Sequence, residues 1–221
     1  MKIVHSIILA RGGSRGIKKK NIFKINNKPL IYWSIVQSLS SKKVDKTWVS
    51  SDNEEILKIS QKYGAQIIKR PKKISGSNVS SELAWIHAIK FIEKKKYKID
   101  TILGIQPTSP IRERNDFDKA ITKFMNKKYD SLFSGNKFYD FNYWYNNKNK
   151  LVSSYNPKKR KMRQKIKVKY LENGSFYIFD KKKFLKSKVR LFDKIGIYEM
   201  KKRCQFQIDE IEDIEIVKKF L

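Results

Sequence analysis

Three stretches of this 221-residue chain combine residue types that can do chemistry. The first is Leu9-Ala10-Arg11-Gly12-Gly13-Ser14-Arg15-Gly16, followed by Lys20-Asn21. Glycines let a backbone approach a bound group closely and turn its N–H donors inward. Arg11 and Lys20 add fixed positive charge, so the combination suits a triphosphate. It is neither a P-loop, since Gly-Lys-Ser/Thr is absent at the required spacing, nor the dinucleotide pattern G-x-G-x-x-G. The glycines alone fit an ordinary turn equally well; an arginine directly behind a buried apolar run favours the phosphate reading. The second stretch, Gln106-Pro107-Thr108-Ser109-Pro110-Ile111-Arg112, reads alone as a rigid turn after a strand. The third, Gln207-Ile208-Asp209-Glu210-Ile211-Glu212-Asp213, is an acidic cluster ahead of a helical pattern. Such a cluster stabilises a helix N-terminus whether or not it binds anything.

Other reactive types are fewer. Cys204 is the single cysteine, so no internal disulfide can form, and a reducing, cytoplasmic compartment is expected. Arg203 beside it favours a thiolate, yet a catalytic thiol also needs a positioned histidine, and only His5 and His87 exist. Cys204 therefore reads as a filler or surface residue. His87 follows helical spacing with Leu83, Trp85, Ile86 and Ile89, and reads as a partly buried helix residue rather than an acid or base.

The formal net charge of +30 suggests an anionic partner on composition alone. The lysines, however, are scattered along the chain, as on a solvated surface. Dedicated nucleic-acid binding is not expected, although a positive field attracts a triphosphate or an anionic sugar. With 40% hydrophobic and 13% aromatic residues the chain can bury a core. No apolar run approaches the roughly 20 residues of a membrane helix, so no membrane partner is expected. The opening Ile3 to Ala10 run, broken by His5 and Ser6 and followed by glycines, reads as a buried strand rather than a signal peptide.

The elements that must position these stretches alternate. Strands are predicted at Ile3–Leu9, Lys46–Val49, Ala65–Ile68, Thr101–Ile105 and Ser131–Ser134. Helices are predicted from Leu30 to Leu39, from Glu54 to Tyr63 behind an N-cap in Ser50-Ser51-Asp52-Asn53, from an opening Ser80-Ser81-Glu82 towards Glu93, and from Asn115-Asp116 to about Lys127. Residues 136–170, aromatic and basic without clear period, form an excursion. The chain returns at residues 174–179 and ends in a polar turn and short helix over Ile208 to Leu221. Alternating β and α implies an α/β fold, one mostly parallel sheet with helices on both faces. Ligands then bind at the carboxyl ends of the strands, where residues 10–21, 70–81 and 106–112 lie. The whole of 1–221 reads as one domain.

The segment ILARGGSRGIKKKNI resembles the N-terminal signature of the acylneuraminate cytidylyltransferases. Four more stretches resemble that family in its order: Val49-Ser50-Ser51-Asp52; Arg70-Pro71 with Ser75 to Ser81; Gln106 to Arg112; and Glu172 to Ile178. The resemblance implies a Rossmann-like nucleotidyltransferase fold (the nucleotide-diphospho-sugar transferase type). It implies an enzyme that transfers CMP from CTP to the anomeric hydroxyl of a sialic-acid-like nonulosonic acid, with pyrophosphate leaving. By the same resemblance, Arg11 and Lys20 would hold the phosphates, helped by backbone groups of Leu9, Ala10, Gly12, Gly13 and Ser14. Asn21 would contact the nucleotide, and Arg70, the backbone near Val79, and Ser81 would recognise cytosine and ribose. Gln106, Arg163, Asn173 and Tyr177 would face the sugar; arginine suits a sugar carboxylate through a bidentate contact. Residues 136–170 would make a homodimer contact, which is favoured over a nucleic-acid stacking platform for Phe138, Tyr139, Phe141, Tyr143, Trp144 and Tyr145.

Two departures stand out. The family usually carries two aspartates two residues apart for Mg²⁺; here the pair is Gln207 and Asp209. Asp209 is expected to anchor the metal, with Gln207 able to ligate only through a neutral carbonyl, and Asp213 to cap the last helix. Arg190-Leu191-Phe192 stands where relatives acting on N-acetylneuraminate carry aromatics, which points to a different acyl pattern on the sugar. Legionaminic, pseudaminic or Kdo acceptors are the near alternatives. An RNA-binding module on the same fold, catalytically weakened at Gln207, is the alternative from another class.

Overall fold

The computed structural model describes residues 2–14, 16–138 and 142–221, and for Arg163 the backbone only. Its strands are β1 (Val4–Leu9), β2 (Lys24–Ile25), β3 (Lys28–Pro29), β4 (Lys46–Ser51), β5 (Gln66–Lys69), β6 (Thr101–Ile105), β7 (Ser131–Phe138), β8 (Trp144–Asn147), β9 (Lys150–Ser153), β10 (Lys169–Asp180) and β11 (Ile195–Glu199). Its α-helices are α1 (Leu30–Leu39), α2 (Glu54–Lys62), α3 (Ser81–Lys94), α4 (Asp116–Asn126), α5 (Lys181–Ser187) and α6 (Ile211–Val217). Seven strands form one sheet in the order β11-β7-β10-β6-β1-β4-β5. Only β10 runs antiparallel to its neighbours. The mostly parallel α/β sheet read from the sequence is thus observed.

The sheet has two buried faces, and β1 shows how one strand serves both. Val4 and Ile8 enter one core with Leu30, Ile31 and Ile35 of α1, Phe117 and Phe124 of α4, and Ile214 of α6. Ile7 enters the other with Trp85, Ile89 and Ile92 of α3 and Phe184 of α5. This two-residue alternation is the pleat at work. Gly104 in β6 is required by close packing: a Cβ there would lie 2.6 Å from Cζ2 of fully buried Trp85. His5 points into the second face, where its Nδ1 accepts a hydrogen bond from Trp48 Nε1 at 3.2 Å. Burial lowers its pKa to about 4.

Local chemistry sets the helix ends. Asn53 caps α2, its Oδ1 accepting from Ile56 N at 3.0 Å. Neither Ser80 nor Asn115 makes a side-chain cap bond to its helix. Glu210 and Asp213 form a reciprocal capping box on α6. Among the described residues no helix is long and apolar enough to cross a membrane.

The excursion needs correcting at both ends. β7 runs on to Phe138 and β10 begins at Lys169, and the two pair antiparallel from Phe138↔Lys169 onwards. Residues 136–138 and 169–170 are therefore sheet rather than excursion. The extension leaves Lys137 and residues 169–172 exposed, so no burial pattern advertised it. Beyond it, β8 and β9 form a hairpin whose turn residues Lys148 and Asn149 both have positive φ, the geometry of a tight two-residue turn. Tyr143, Trp144 and Tyr145 are about half exposed on it.

Candidate active site

A cleft of about 500 Å³ opens at the carboxyl ends of β1, β5 and β6. That volume suits a nucleotide-sized ligand. All three loops expected to bind contribute to it, and the segment before α6 closes the fourth side. Leu9, Arg11, Ser14, Lys20 and Asn21 line it from the glycine loop. Arg70, Val79 and Ser81 line it from the loop after β5, and Gln106 from the end of β6. Asp209 lines it beside Glu210, which the sequence reading had not singled out.

The glycine loop is held by its neighbours. Asn21 is buried and donates from Nδ2 to Arg11 O at 2.9 Å. Gly12 N donates to Asp52 Oδ1 at 2.9 Å. This corrects one expectation: the Gly12 N–H is engaged by a carboxylate instead of standing ready for a phosphate, because β4 ends beside β1. Ala10 is likewise fully buried, with its N–H on Ser50 O. Gly12 and Gly13 do not line the cleft. Gly16 packs on the opposite wall, where a Cβ would come within 2.2 Å of Asp209 O. Arg15 lies outside the described residues.

Lys20 joins the loop to the acidic segment. Its Nζ donates to Ile208 O at 2.8 Å and lies 3.1 Å from Asp209 Oδ1. An ammonium has three donors, so one remains for a ligand. Ile208 N in turn donates to Thr108 O at 2.8 Å, tying this segment to the turn after β6. Asp213 Oδ2 accepts from the backbone N–H groups of both Asp209 and Glu210, so it acts as a cap, as expected. Asp209 is mostly exposed and already faces a cation, which fits a carboxylate at the mouth of a phosphate site.

Arg70 is the most telling residue. It is 6% exposed, yet its Nε and Nη2 have no hydrogen-bond partner among the described residues. Burial, offset by Asp52 and reinforced by Arg11, lowers its pKa. Buried donors of this kind are normally satisfied, so their natural partner is a ligand in the cleft. His87 lies near enough to feel Arg70; burial first, then that charge, lowers its pKa. It is half-buried on α3, as read from the sequence.

The residues expected to face a sugar fare differently. Gln106 lines the cleft. Asn173 does not: it is buried, accepting from Ser134 Oγ at 2.7 Å and donating to Asn136 Oδ1 at 2.8 Å. Tyr177 is 3% exposed, and its hydroxyl donates to Glu172 Oε1 at 2.5 Å. Both sit in the irregular stretch of β10 between Glu172 and Tyr177, where polar side chains replace lost ladder bonds. Arg190 is engaged as well, paired with Glu82 at 2.6 Å and stacked over Trp85 and Tyr177. The Arg163 side chain, like Tyr139 and Phe141, lies outside what is described. Gln207 does not line the cleft; its amide flanks Gly174, about 3.3 Å from where a Cβ would stand. Cys204 is fully buried with its thiol pushed up to about 11 by burial, as befits a filler residue.

The family model described as cytidylyltransferase matches residues 5–220. The chain belongs to the cytidylyltransferase family. It is 34% identical over 93% of its length to N-acylneuraminate cytidylyltransferase A of Danio rerio, of which the match covers 48%. It is 32% identical over 96% of its length to a pseudaminic acid cytidylyltransferase of Campylobacter jejuni, of which the match covers 93%. The chain thus spans about half of the first relative and nearly all of the second. In fold it is similar to a solved CMP:2-keto-3-deoxy-manno-octonic acid synthetase complexed with CTP, with a TM-score of 0.69 at 14% identity over 99% of this chain and 98% of that one. A cytidylyltransferase is a nucleotidyltransferase, and the cleft between the glycine loop and Asp209 stands where such folds hold nucleotides.

Proposed function

We propose that this cytidylyltransferase transfers CMP from CTP to the anomeric hydroxyl of a nonulosonic acid and releases pyrophosphate. The observation that carries the reading is Arg70, a buried arginine whose Nε and Nη2 have no partner among the described residues, in a cleft that also presents Arg11 and Lys20. The relatives named for N-acylneuraminate and for pseudaminic acid support the choice of acceptor. Arg11 and Lys20 neutralise the triphosphate and hold it for in-line attack, while Arg70 and the Ser75 to Ser81 segment hold the nucleoside. Rate enhancement comes from positioning and charge stabilisation, without a dedicated general base.

Asp209, with Glu210 beside it, supplies carboxylate oxygen at the phosphate end, the donor type Mg²⁺ prefers when phosphates and water complete its shell. When bound, that ion would add Lewis-acid polarisation of the phosphate. Gln207 stands aside from this set. All 221 residues act as one unit in a reducing, cytoplasmic setting. The half-exposed aromatics of β8 and its flank support a homodimer contact through that hairpin.

The test is pyrophosphate release from CTP with Mg²⁺ and a panel of N-acetylneuraminic, legionaminic, pseudaminic and Kdo acceptors, with ATP, GTP and UTP as controls. CTP-specific release with a nonulosonic acid is expected. Release with Kdo alone would move the acceptor assignment. A salt-sensitive RNA shift with no release from any mixture would favour the RNA-binding reading instead.

A further inference from the structure

We propose that Arg112 is a positioning residue for the transfer reaction: its guanidinium fixes the Gln106 backbone against the irregular stretch of β10 at Gly174-Ser175 and thereby sets the acceptor end of the cleft. The inference rests on the function proposed above and concerns only that end.

Arg112 has five N–H donors, and all five are engaged. Nε donates to Ser175 Oγ at 2.8 Å. Nη1 donates to Ser34 Oγ at 3.1 Å and to Gln37 Oε1 at 2.8 Å. Nη2 donates to Gln106 O at 2.9 Å and to Ser175 O at 3.0 Å. Not one of these acceptors is a carboxylate. An arginine retained for its charge would pair with an anion; this one is surrounded by neutral dipoles from three different elements. Burial works against its charge, and Asp116 and Cys204 offset that only in part.

The choice of partners gives the arrangement its meaning. Gln106 directly follows β6, Ser175 belongs to β10, and Ser34 and Gln37 lie on α1. Gln106 N also donates to Ser175 O at 3.1 Å, so one carbonyl receives both the Gln106 amide and the guanidinium. Gln37 Nε2 donates to Pro110 O at 2.9 Å, which closes the ring around the turn that follows β6. Gly174, at φ +63°, fits beneath: a Cβ there would lie 3.0 Å from Gln106 Oε1. Arg112 does not line the cleft itself. It holds the residue that does. A lysine offers three donors from one point and cannot reproduce a planar five-donor fork.

The experiment uses the full chain with Arg112→Lys and Ser34→Ala. It measures melting temperature, CTP affinity by calorimetry, and kcat and KM for N-acetylneuraminic and pseudaminic acid by pyrophosphate release. In Arg112→Lys, CTP affinity should stay within about twofold while the acceptor KM rises or kcat falls by roughly tenfold or more, as expected for a misplaced contact. Its rate should also fall at lower pH on the basic side than that of wild type, because burial disfavours the charged ammonium. Ser34→Ala should move the acceptor parameters in the same direction by less. Unaltered acceptor kinetics, or CTP affinity and acceptor KM weakening together in step with melting temperature, would overturn the inference. If Arg112→Lys does not fold, unaltered acceptor kinetics in Ser34→Ala overturn it. A wild type inert with every acceptor overturns the parent reading and this one with it, whereas an active wild type with unaltered variants overturns this one alone.

Discussion

At the end of the cleft proposed for the nucleotide, Arg70 Nε and Nη2 have no partner among the described residues, and Lys20 has one of its three donors without one there. At the proposed acceptor end Asn173, Tyr177 and Arg112 have their polar atoms committed to other residues. The first end is built from loops that leave side chains open to a ligand. The second is built from an irregular strand whose side chains hold one another, so that Gln106 is presented with little freedom. Substitution should therefore change affinity at the first end and geometry or stability at the second.

The sharpest way to break that contrast is Gly16→Ala. The new methyl would meet the Asp209 carbonyl at 2.2 Å, a backbone atom that cannot swing aside. The glycine loop and the acidic segment should separate, and nucleotide affinity should fall by roughly a hundredfold or more, some 3 kcal/mol. Calorimetry with CTP checks it; a variant that binds like wild type would show that the two walls need not touch.

A protonation tests the committed kind of polar group away from the cleft. Folded His5 has a pKa of about 4 against an ordinary 6.5, so the unfolded chain binds more protons between those values. Stability should therefore be complete above pH 6.5 and fall as pH drops towards 4, by up to about 3 kcal/mol. Denaturant midpoints across that window, with His5→Gln as the control that flattens the slope, measure it.

At the acceptor end, Asn173→Ala should cost about 2 kcal/mol of stability by stranding Ser134 and Asn136, while leaving CTP affinity within about twofold. Thermal unfolding with and without CTP separates these. A large loss of CTP binding at full stability would erase the distinction between the two ends. The smallest effect is expected for Cys204→Ala, fully buried with a raised thiol pKa: activity unchanged, and stability lowered by about 1 kcal/mol as the site loses its sulfur.

The central strands β1 and β6 were legible because a strand buried on both faces reads as a near-continuous apolar run, whereas β11, a partly exposed edge strand, offered no such run and was not predicted. Thr101–Ile105 matches β6 residue for residue, and Ile3–Leu9 differs from β1 by one position. That Arg11 and Lys20 share a cleft was legible for a related reason: cations shortly after a buried strand lie at its carboxyl end, where α/β sheets open their clefts. What remained hidden depends on pairing across the sheet. That Asp52 takes the Gly12 N–H follows from β4 lying beside β1, which no local pattern records. Asn173 is a polar residue in a motif, and only its burial among Ser134, Asn136 and Met200 shows that its amide is occupied. The exposed ends of β7 and β10 carry no alternation, so their pairing was not visible either.

The most direct measurement is calorimetric titration of CTP into wild type and Arg70→Ala, with ATP as the comparison ligand. CTP should bind wild type well ahead of ATP. Removing the Arg70 guanidinium should weaken CTP by about 10- to 100-fold, the worth of charge-assisted hydrogen bonds in a desolvated site, with melting temperature little changed. Equal binding of CTP and ATP, with Arg70→Ala indistinguishable from wild type, would contradict the assignment of this cleft as a cytidine nucleotide site.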